Sequence, residues 1–223
     1  MVRKKQSRGS CAFCGYETTK GSMGRHFAAC PQRSALIVQA NQKPETLLHL
    51  RVQDAYGSDF WLDLEVRSGA KLKDIDSYLR GIWLECCGHL SEFQASGWGD
   101  EIAQSRTVGT TFKLYTTIRH IYDFGTSSET VLTLIGQRDG APLTKKPVVL
   151  MARNLTPEVA CVECGNPATH LCMECMIESD IPGWLCATHT TSHPHEDYGE
   201  PLAIVNSPRL GMCGYIGPAT PPY

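Results

Sequence analysis

The residues of this chain that could do chemistry are cysteines and histidines gathered in two segments, one near each end. The first has Cys-x2-Cys-x11-His-x3-Cys spacing, and the second has two Cys-x2-Cys pairs followed by Cys-x2-His-x3-His-x-His. Thiolate sulfur and imidazole nitrogen hold zinc in a tetrahedron, and a two-residue gap lets one turn of chain offer two ligands. We therefore predict Zn²⁺ bound by Cys11, Cys14, His26, Cys30, Cys161, Cys164, Cys172, Cys175, Cys186, His189, His193 and His195.

The spacing of the first segment is close to that of ββα zinc fingers. His26 and Cys30 are four residues apart, so they share one face of a short helix, and Met23 is placed to fill a small apolar core. A unit of this size buries too little surface to fold by itself, and metal binding would supply the missing free energy. The segment predicts one zinc ion held by three cysteines and one histidine.

The charge around this finger is strongly asymmetric. Residues 1–33 hold seven basic residues and one acidic residue, a net charge of +6, whereas the rest holds 14 basic and 22 acidic residues, a net charge of −8. A basic arm on an acidic body is typical of polyanion binding. Such fingers read bases with helix positions −1, 3 and 6. When His26 is counted as position 7, these positions are Thr19, Ser22 and Arg25. We expect nucleic-acid contacts from Arg3, Lys4, Lys5, Arg8, Thr19, Lys20, Ser22 and Arg25.

The second segment has enough ligands for two zinc ions, and its spacing looks like a B-box-type cross-brace in which alternate ligand pairs share an ion. The two predicted sets are Cys161, Cys164, Cys186 and His189, and Cys172, Cys175, His193 and His195. His170 or Cys213 is an alternative to either of the last two histidines. A single all-thiolate site from the two Cys-x2-Cys pairs is the minimal alternative, so one or two ions are expected. A surplus of thiolates favours a closed structural site over a catalytic one.

The elements that must position these ligands follow an α+β pattern. Strand-like runs cover 46–53, 59–66, 110–115, 118–124, 129–136 and 147–152. Apolar residues at helical spacing predict one main helix that ends near Gly88. These residues are Leu72, Ile75, Leu79, Ile82, Trp83 and Cys86. We expect a mixed or antiparallel sheet with one main helix, flanked by two small zinc-stabilised modules.

The expected domains are a basic arm and finger at 1–33, a linker at 34–45, an α+β domain at 46–155, a zinc module at 156–198 and an extended tail at 199–223. Hydrophobic residues make up 42% of the chain and charged residues 20%, and no apolar run approaches the ~20 residues that span a bilayer. The basic start leads into no apolar segment, so we expect a cytoplasmic protein with no membrane partner. Reduced cysteines would then be available to metal.

Enzyme motifs give little support to a catalytic function. No phosphate-binding loop or dinucleotide fingerprint is present, and no small-molecule substrate is indicated. His195-Glu196 follows the Cys-x2-Cys pairs, which is the wrong order for a nucleobase deaminase. Cys86-Cys87-x-His89 and the neighbours His120 and Asp123 remain the residues that could build an active site on the central sheet.

Several short motifs mark the middle and the end of the chain: Leu48-His49-Leu50-Arg51-Val52, Ile82-Trp83, His89-Leu90-Ser91-Glu92-Phe93, Tyr122-Asp123-Phe124-Gly125 and Asn206-Ser207-Pro208-Arg209-Leu210-Gly211-Met212-Cys213-Gly214-Tyr215. By these motifs, residues 46–215 resemble the plasmid pRiA4b ORF-three-like family. The fourth motif looks like the family's Tyr-Asp-Phe-Gly-Asp, although Thr126 replaces the final Asp, and the Trp and His expected after it are absent. The resemblance implies a plasmid or transposon-associated context and assigns no firm biochemical activity.

Together these patterns predict a non-enzymatic zinc-binding protein that contacts nucleic acid through its finger and basic arm. Two alternatives stay open. One is a protein-interaction adaptor that uses both zinc modules as docking surfaces. The other is an enzyme with a site on the central sheet.

Overall fold

The computed structural model describes residues 6–95, 99–179, 181–194 and 197–217. The chain forms two compact units. The first comprises Met1–Arg80 and Gly88–Leu155, and the second comprises Gly81–Cys87 and Thr156–Tyr223. The first unit is therefore interrupted by a short segment that belongs to the second.

Within the described residues, the first unit contains a nine-stranded sheet in the order β2-β1-β9-β4-β3-β8-β7-β5-β6. Its neighbouring strands are antiparallel. This confirms the expected α+β class with an antiparallel sheet. The strands are β1 (Arg8–Cys11), β2 (Glu17–Thr19), β3 (Glu45–Asp54), β4 (Trp61–Arg67), β5 (Ser91–Ala95), β6 (Glu101–Ile102), β7 (Thr117–Tyr122), β8 (Ser128–Gly140) and β9 (Val148–Asn154).

Strand β4 lies inside this sheet, between β9 and β3, and is buried on both faces. Leu62, Leu64 and Val66 are apolar, whereas Asp63 and Glu65 bring carboxylates into the interior. Each carboxylate has an arginine partner that offsets the cost of its burial. Arg51 Nη2 donates to Asp63 Oδ2 over 2.9 Å, and Arg138 Nη2 donates to Glu65 Oε1 over 2.7 Å.

Four helices of the first unit are described: α1 (Lys20–Ala29), α2 (Pro31–Gln39), α3 (Leu72–Leu79) and α4 (Val108–Phe112). α3 buries the apolar face that its spacing predicts, and the backbone N–H of Lys71 donates to Asp74 Oδ2 over 2.8 Å at its start. The helical path does not run unchanged to Cys86, because a π-helical turn at Arg80–Leu84 follows α3. Since α1 and α2 are longer than α3, length does not single out one main helix.

Two segments of the first unit contain helices that the sequence did not predict. The strand expected at 110–115 is replaced by α4, because Thr107 Oγ1 accepts a hydrogen bond from the backbone N–H of Thr110 and caps a short helix. The linker expected at 34–45 contains most of α2, which begins at Pro31, a residue favoured in the first turn of a helix.

The second unit, where it is described, contains a three-stranded antiparallel sheet in the order β11-β10-β12. Its strands are β10 (His170–Leu171), β11 (Trp184–Leu185) and β12 (Leu202–Ala203), and its helices are α5 (Met173–Glu178) and α6 (Ala187–Thr190). The tail expected to be extended from residue 199 contains β12 and a 3-10 turn at Met212–Gly214. Among the described residues of the whole chain, no helix has the length and apolarity to cross a membrane.

Candidate metal centres

The first cluster joins a tight turn after β1 to the end of α1. The turn closes through the N–H of Gly15, which donates to the carbonyl of Cys11 over 2.8 Å, and Gly15 has φ +73°. Cys14 Sγ lies 3.2 Å from His26 Nε2. The four ligand atoms of Cys11, Cys14, His26 and Cys30 all lie within 4.8 Å of one another.

This finger is built into the central sheet, which the spacing of its ligands did not predict. β1 pairs with β9, so that Gly9 lies opposite Asn154 and Cys11 opposite Ala152. Met23 and Phe27 of α1 are buried in one apolar cluster with Trp61 of β4. Met23, which was expected to fill a small core of the finger, therefore packs with residues of the central sheet.

Burial raises the pKa of the finger's thiols, and hydrogen bonds from backbone amides lower it. Burial, helped by the neighbouring Cys14 thiol, raises the pKa of Cys11 to about 11. For Cys30, burial opposes ionisation, but hydrogen bonds from the backbone of Arg33 and from neighbouring thiols outweigh it and lower the pKa. A bound dication favours the thiolate at every ligand, since metal binding displaces the proton.

The next cluster lies in the second unit and joins a Cys-x2-Cys turn to the start of α6. It contains Cys161, Cys164, Cys186 and His189, whose ligand atoms lie within 4.8 Å of one another. His189 Nδ1 is 3.4 Å from the sulfur atoms of both Cys161 and Cys186. The sulfur atoms of Cys164 and Cys186 are 3.8 Å apart.

The surroundings of Cys161 lower the pKa of its thiol. Burial opposes the charge, but backbone amides of Cys186, Glu163 and Cys164 donate to the sulfur and lower the pKa to about 6. Amide dipoles directed at a sulfur atom stabilise a thiolate in this way whether or not a metal is bound.

The last predicted cluster is centred on the first turn of α5. Cys172 and Cys175 are buried, and Cys175 Sγ lies 3.2 Å from His193 Nε2. The other ring nitrogen of His193 lies 3.9 Å from Glu163 Oε1. His195, the fourth predicted ligand, lies outside the described residues.

The donor sets and their spacing fit zinc. Zn–S bonds of about 2.3 Å and Zn–N bonds of about 2.0–2.1 Å in a tetrahedron put ligand atoms roughly 3.6–3.8 Å apart. The sulfur–nitrogen separations of 3.2–3.4 Å and the sulfur–sulfur separation of 3.8 Å are close to these values. All 11 cysteines lie within the described residues, and none of them forms a disulfide.

The grouping in the second unit alternates along the chain. The first Cys-x2-Cys pair joins Cys186 and His189, and the second pair joins His193. The two pairs thus lie in different clusters and not in one all-thiolate site. Of the two alternative ligands, His170 Nδ1 is 2.9 Å from Thr169 Oγ1, and Cys213 lies beside Cys87.

The residues predicted to contact nucleic acid differ in how accessible they are. Arg3, Lys4 and Lys5 lie outside the described residues. Arg25 is exposed on α1 beside Ser22, whereas Thr19 is half-buried at the start of the helix. Arg8 donates to the carbonyl of Glu17 on the neighbouring strand.

Lys20 has a structural role that its sequence position did not indicate. Its Nζ donates to Gln53 Oε1 over 2.6 Å and to the carbonyl of Ser58 over 3.3 Å. These bonds fasten the start of α1 to the end of β3 and the following turn. The phosphate contact expected of Lys20 would compete with them.

Of the residues of the enzyme alternative, His120 and Asp123 are buried, Cys86 and His89 are half-buried, and Cys87 is exposed. His120 is fully buried on β7 and its Nε2 lies 2.8 Å from Asp76 Oδ1, while Asp76 also accepts a hydrogen bond from Ser91. His89 Nε2 lies 3.5 Å from Asp123 Oδ2. Two cavities of about 220 and 260 Å³ in this unit are lined by other residues.

The thiols of Cys86, Cys87 and Cys213 also lie together, and the ligand spacing did not predict this cluster. Cys213 is 126 residues from Cys87. No local spacing rule relates positions so far apart. By sequence, Cys213 is an alternative zinc ligand and Cys86-Cys87-x-His89 are possible active-site residues, but no pattern relates these two parts of the chain.

Comparisons with known proteins add little to this geometry. No family model matches the chain, and no curated protein matches it. Among solved structures, the chain is similar to the crystal structure of a protein of unknown function from Methanosarcina mazei Go1. The sequence identity is 16%, the match covers 49% of this chain and 69% of that chain, and the TM-score is 0.42.

Proposed function

We propose that this chain is a non-enzymatic zinc protein that contacts nucleic acid through its basic amino-terminal arm and finger. The observation that carries the zinc part is the gathering of thiols and imidazoles into compact clusters at the predicted positions. Cys11, Cys14, His26 and Cys30 would hold one ion, and Cys161, Cys164, Cys186 and His189 another. Cys172, Cys175 and His193 would hold a third, with His195 as the predicted fourth ligand.

The chemistry of the donors favours a structural role for these ions. Thiolate-rich sets that supply four protein ligands leave no position for a reacting water. Zinc in such sites contributes folding free energy directly, with apparent values of roughly 10–16 kcal/mol for small finger peptides. The ions would fasten α1 to the turn after β1, α6 to the turn that carries Cys161 and Cys164, and α5 to the segment that carries His193.

The zinc proposal is tested by metal analysis of the purified chain beside Cys11→Ser and Cys172→Ser variants. Each substitution removes one thiolate from a different cluster, so each should lower the bound zinc by one ion. A matched control is Ser10→Ala, which changes the neighbour of Cys11 without removing a ligand. Unchanged zinc content in both cysteine variants would contradict the proposal.

The nucleic-acid part rests on charge. Residues 1–33 carry +6 while the remainder carries −8, and Arg25 and Ser22 share one face of α1. Lys20 is left out of the proposed interface because its ammonium group is engaged with Gln53 and Ser58. The plasmid or transposon context is supported by the sequence resemblance alone.

Deleting the whole finger would be a poor test of nucleic-acid binding, since β1 is part of the sheet. The sharper variant neutralises Arg3, Lys4 and Lys5 to Gln. It should weaken duplex DNA binding and reduce the slope of log affinity against log salt by about 0.9 for each phosphate that the arm no longer neutralises. The matched control neutralises Lys73, Lys113 and Lys145, three exposed lysines elsewhere in the first unit.

Equal decreases in affinity for the arm variant and the control variant would show a diffuse charge effect and would refute an interface at the arm. The adaptor alternative stays a prediction. It would be favoured by a protein partner that the full chain captures equally well before and after nuclease treatment.

A further inference from the structure

Three cysteines lie outside the predicted ligand sets, and the second unit brings them together. Cys86 and Cys87 end the segment Gly81–Cys87, and Cys213 lies in the 3-10 turn Met212–Gly214. The sulfur atoms of Cys86 and Cys87 are 3.7 Å apart, and those of Cys87 and Cys213 are 3.6 Å apart. All three sulfur atoms lie within 4.8 Å of one another.

These separations match ligands of one metal ion and not a disulfide. Two sulfur atoms on a tetrahedral zinc with bonds of about 2.3 Å lie about 3.8 Å apart, whereas a disulfide bond is about 2.0 Å long. The two measured separations are within a few tenths of an ångström of the zinc value. Soft thiolate ligands select thiophilic ions such as zinc over magnesium or calcium.

The backbone around Cys213 is shaped to present its thiol. Cys213 has φ +52°, in the left-handed region that residues other than glycine seldom adopt. Gly211 and Gly214 on either side of it also have positive φ, which allows the chain to turn sharply there. A non-glycine residue keeps such a conformation only where its surroundings impose it, and binding sites are common among such places.

Two further contacts fasten this turn to the segment that carries Cys86. Ser207 Oγ donates to the carbonyl of Trp83 over 2.6 Å. Arg209 is fully buried, and its Nη2 lies 3.4 Å from Cys86 Sγ. A guanidinium group beside a thiol favours the thiolate, which is the form that binds metal.

We propose that Cys86, Cys87 and Cys213 form a further zinc site that ties the turn around Cys213 to the segment Gly81–Cys87. Cys87 and Cys213 are exposed, whereas each of the other clusters has at least two buried cysteines. Zinc at this site is therefore in contact with solvent and exchanges faster than zinc at the others. Three thiolates leave the fourth coordination position to water or to a further ligand. The proposal does not depend on nucleic-acid binding.

The test uses the full chain, loaded with zinc under reducing conditions and then mixed with the chromogenic chelator 4-(2-pyridylazo)resorcinol. The wild type should release one zinc ion in a fast phase that Cys87→Ser and Cys213→Ser both lack, and each variant should bind one ion fewer. Cys164→Ser is the matched control, because it removes an exposed ligand from a different cluster and should keep the fast phase. Wild-type zinc content and release kinetics in both Cys87→Ser and Cys213→Ser would overturn the proposal.

A second measurement needs no substitution and so avoids variants that fail to fold. Iodoacetamide labelling of the wild-type chain is mapped by mass spectrometry with and without zinc. Cys87 and Cys213 should resist labelling when zinc is bound, despite their exposure, and should be the first cysteines labelled after chelation. Equal labelling in both states, or a Cys87–Cys213 disulfide in the zinc-loaded protein, would overturn the proposal.

Discussion

Gly183 shows how a single residue can set the geometry of a metal cluster. Its φ of +69° lies in the left-handed region, and its carbonyl accepts a hydrogen bond from the N–H of Cys172 over 2.8 Å. A Cβ atom at this position would lie 2.4 Å from the carbonyl oxygen of Cys172 and 3.4 Å from Cys175 Cβ. Glycine is therefore required both by the backbone conformation and by the close approach of the chain that carries two ligands.

We predict that Gly183→Ala lowers the free energy of unfolding and speeds the release of zinc from the cluster of Cys172 and Cys175. The left-handed backbone alone costs about 1–3 kcal/mol for a non-glycine residue, and the clash with Cys172 must also be relieved by movement of a ligand. Thermal denaturation and chelator-driven zinc release would measure the two effects.

Gly199→Ala is the matched control for this prediction. Gly199 has φ +78°, but a Cβ atom there would meet nothing within 4 Å. It should lower stability through backbone strain without changing zinc release. Equal zinc release by the two variants would mean that the clash with Cys172 has no effect on the cluster.

At the scale of elements, the pairing of β1 with β9 makes the finger part of the central sheet and not an independent unit. A free finger would unfold by itself when its zinc is removed. Here Cys11 lies opposite Ala152, and the N–H of Ala12 donates to the carbonyl of Met151 over 2.8 Å. Removal of the ion should therefore loosen β9, which is itself hydrogen-bonded to β4.

We predict that Cys14→Ser reduces hydrogen-exchange protection in β9 as well as in β1 and α1. The physical reason is that the turn after β1 loses its metal. β1 then separates from β9 more often, and the amides of both strands are exposed to solvent. Hydrogen exchange followed by mass spectrometry would measure this. Cys164→Ser, in the other unit, should leave the protection of β9 unchanged. A decrease in protection confined to residues 8–29 would indicate an independent finger.

Local patterns allowed part of this architecture to be predicted. Ligands a few positions apart, such as Cys161 and Cys164, are brought together by one turn of chain, so their spacing was informative. The amphipathic face of α3 and most strands of the central sheet followed from residue periodicity. The strand expected at 110–115 was wrong because the cap at Thr107 outweighs the β-branched threonines that follow it.

Contacts between distant parts of the chain could not be predicted in this way. The pairing of Gly9 with Asn154 accompanies the packing of Met23 and Phe27 with Trp61, and no periodicity near Gly9 reports that packing. The same holds for Cys213, which lies near Cys87 in a region where Ser207 and Arg209 contact Trp83 and Cys86.

At the scale of the whole molecule, the division into units does not follow the order of the sequence. The expected boundary at residue 156 separates most of the two units, but the second unit also takes in Gly81–Cys87. Ile82, Trp83 and Leu84 in that segment are buried. The helix predicted to pack on the sheet as far as Cys86 is thus divided between the units, with α3 in the first.

This interleaving limits how the protein can be cut for experiments. A fragment that starts at Thr156 would lack Trp83, whose carbonyl is the acceptor for Ser207, and would lack two of the three thiols grouped around Cys213. Conversely, a fragment that stops at Leu155 would retain the apolar residues Ile82 to Leu84 but would lack the rest of the unit to which they belong. Neither half would be a faithful surrogate for the intact polypeptide.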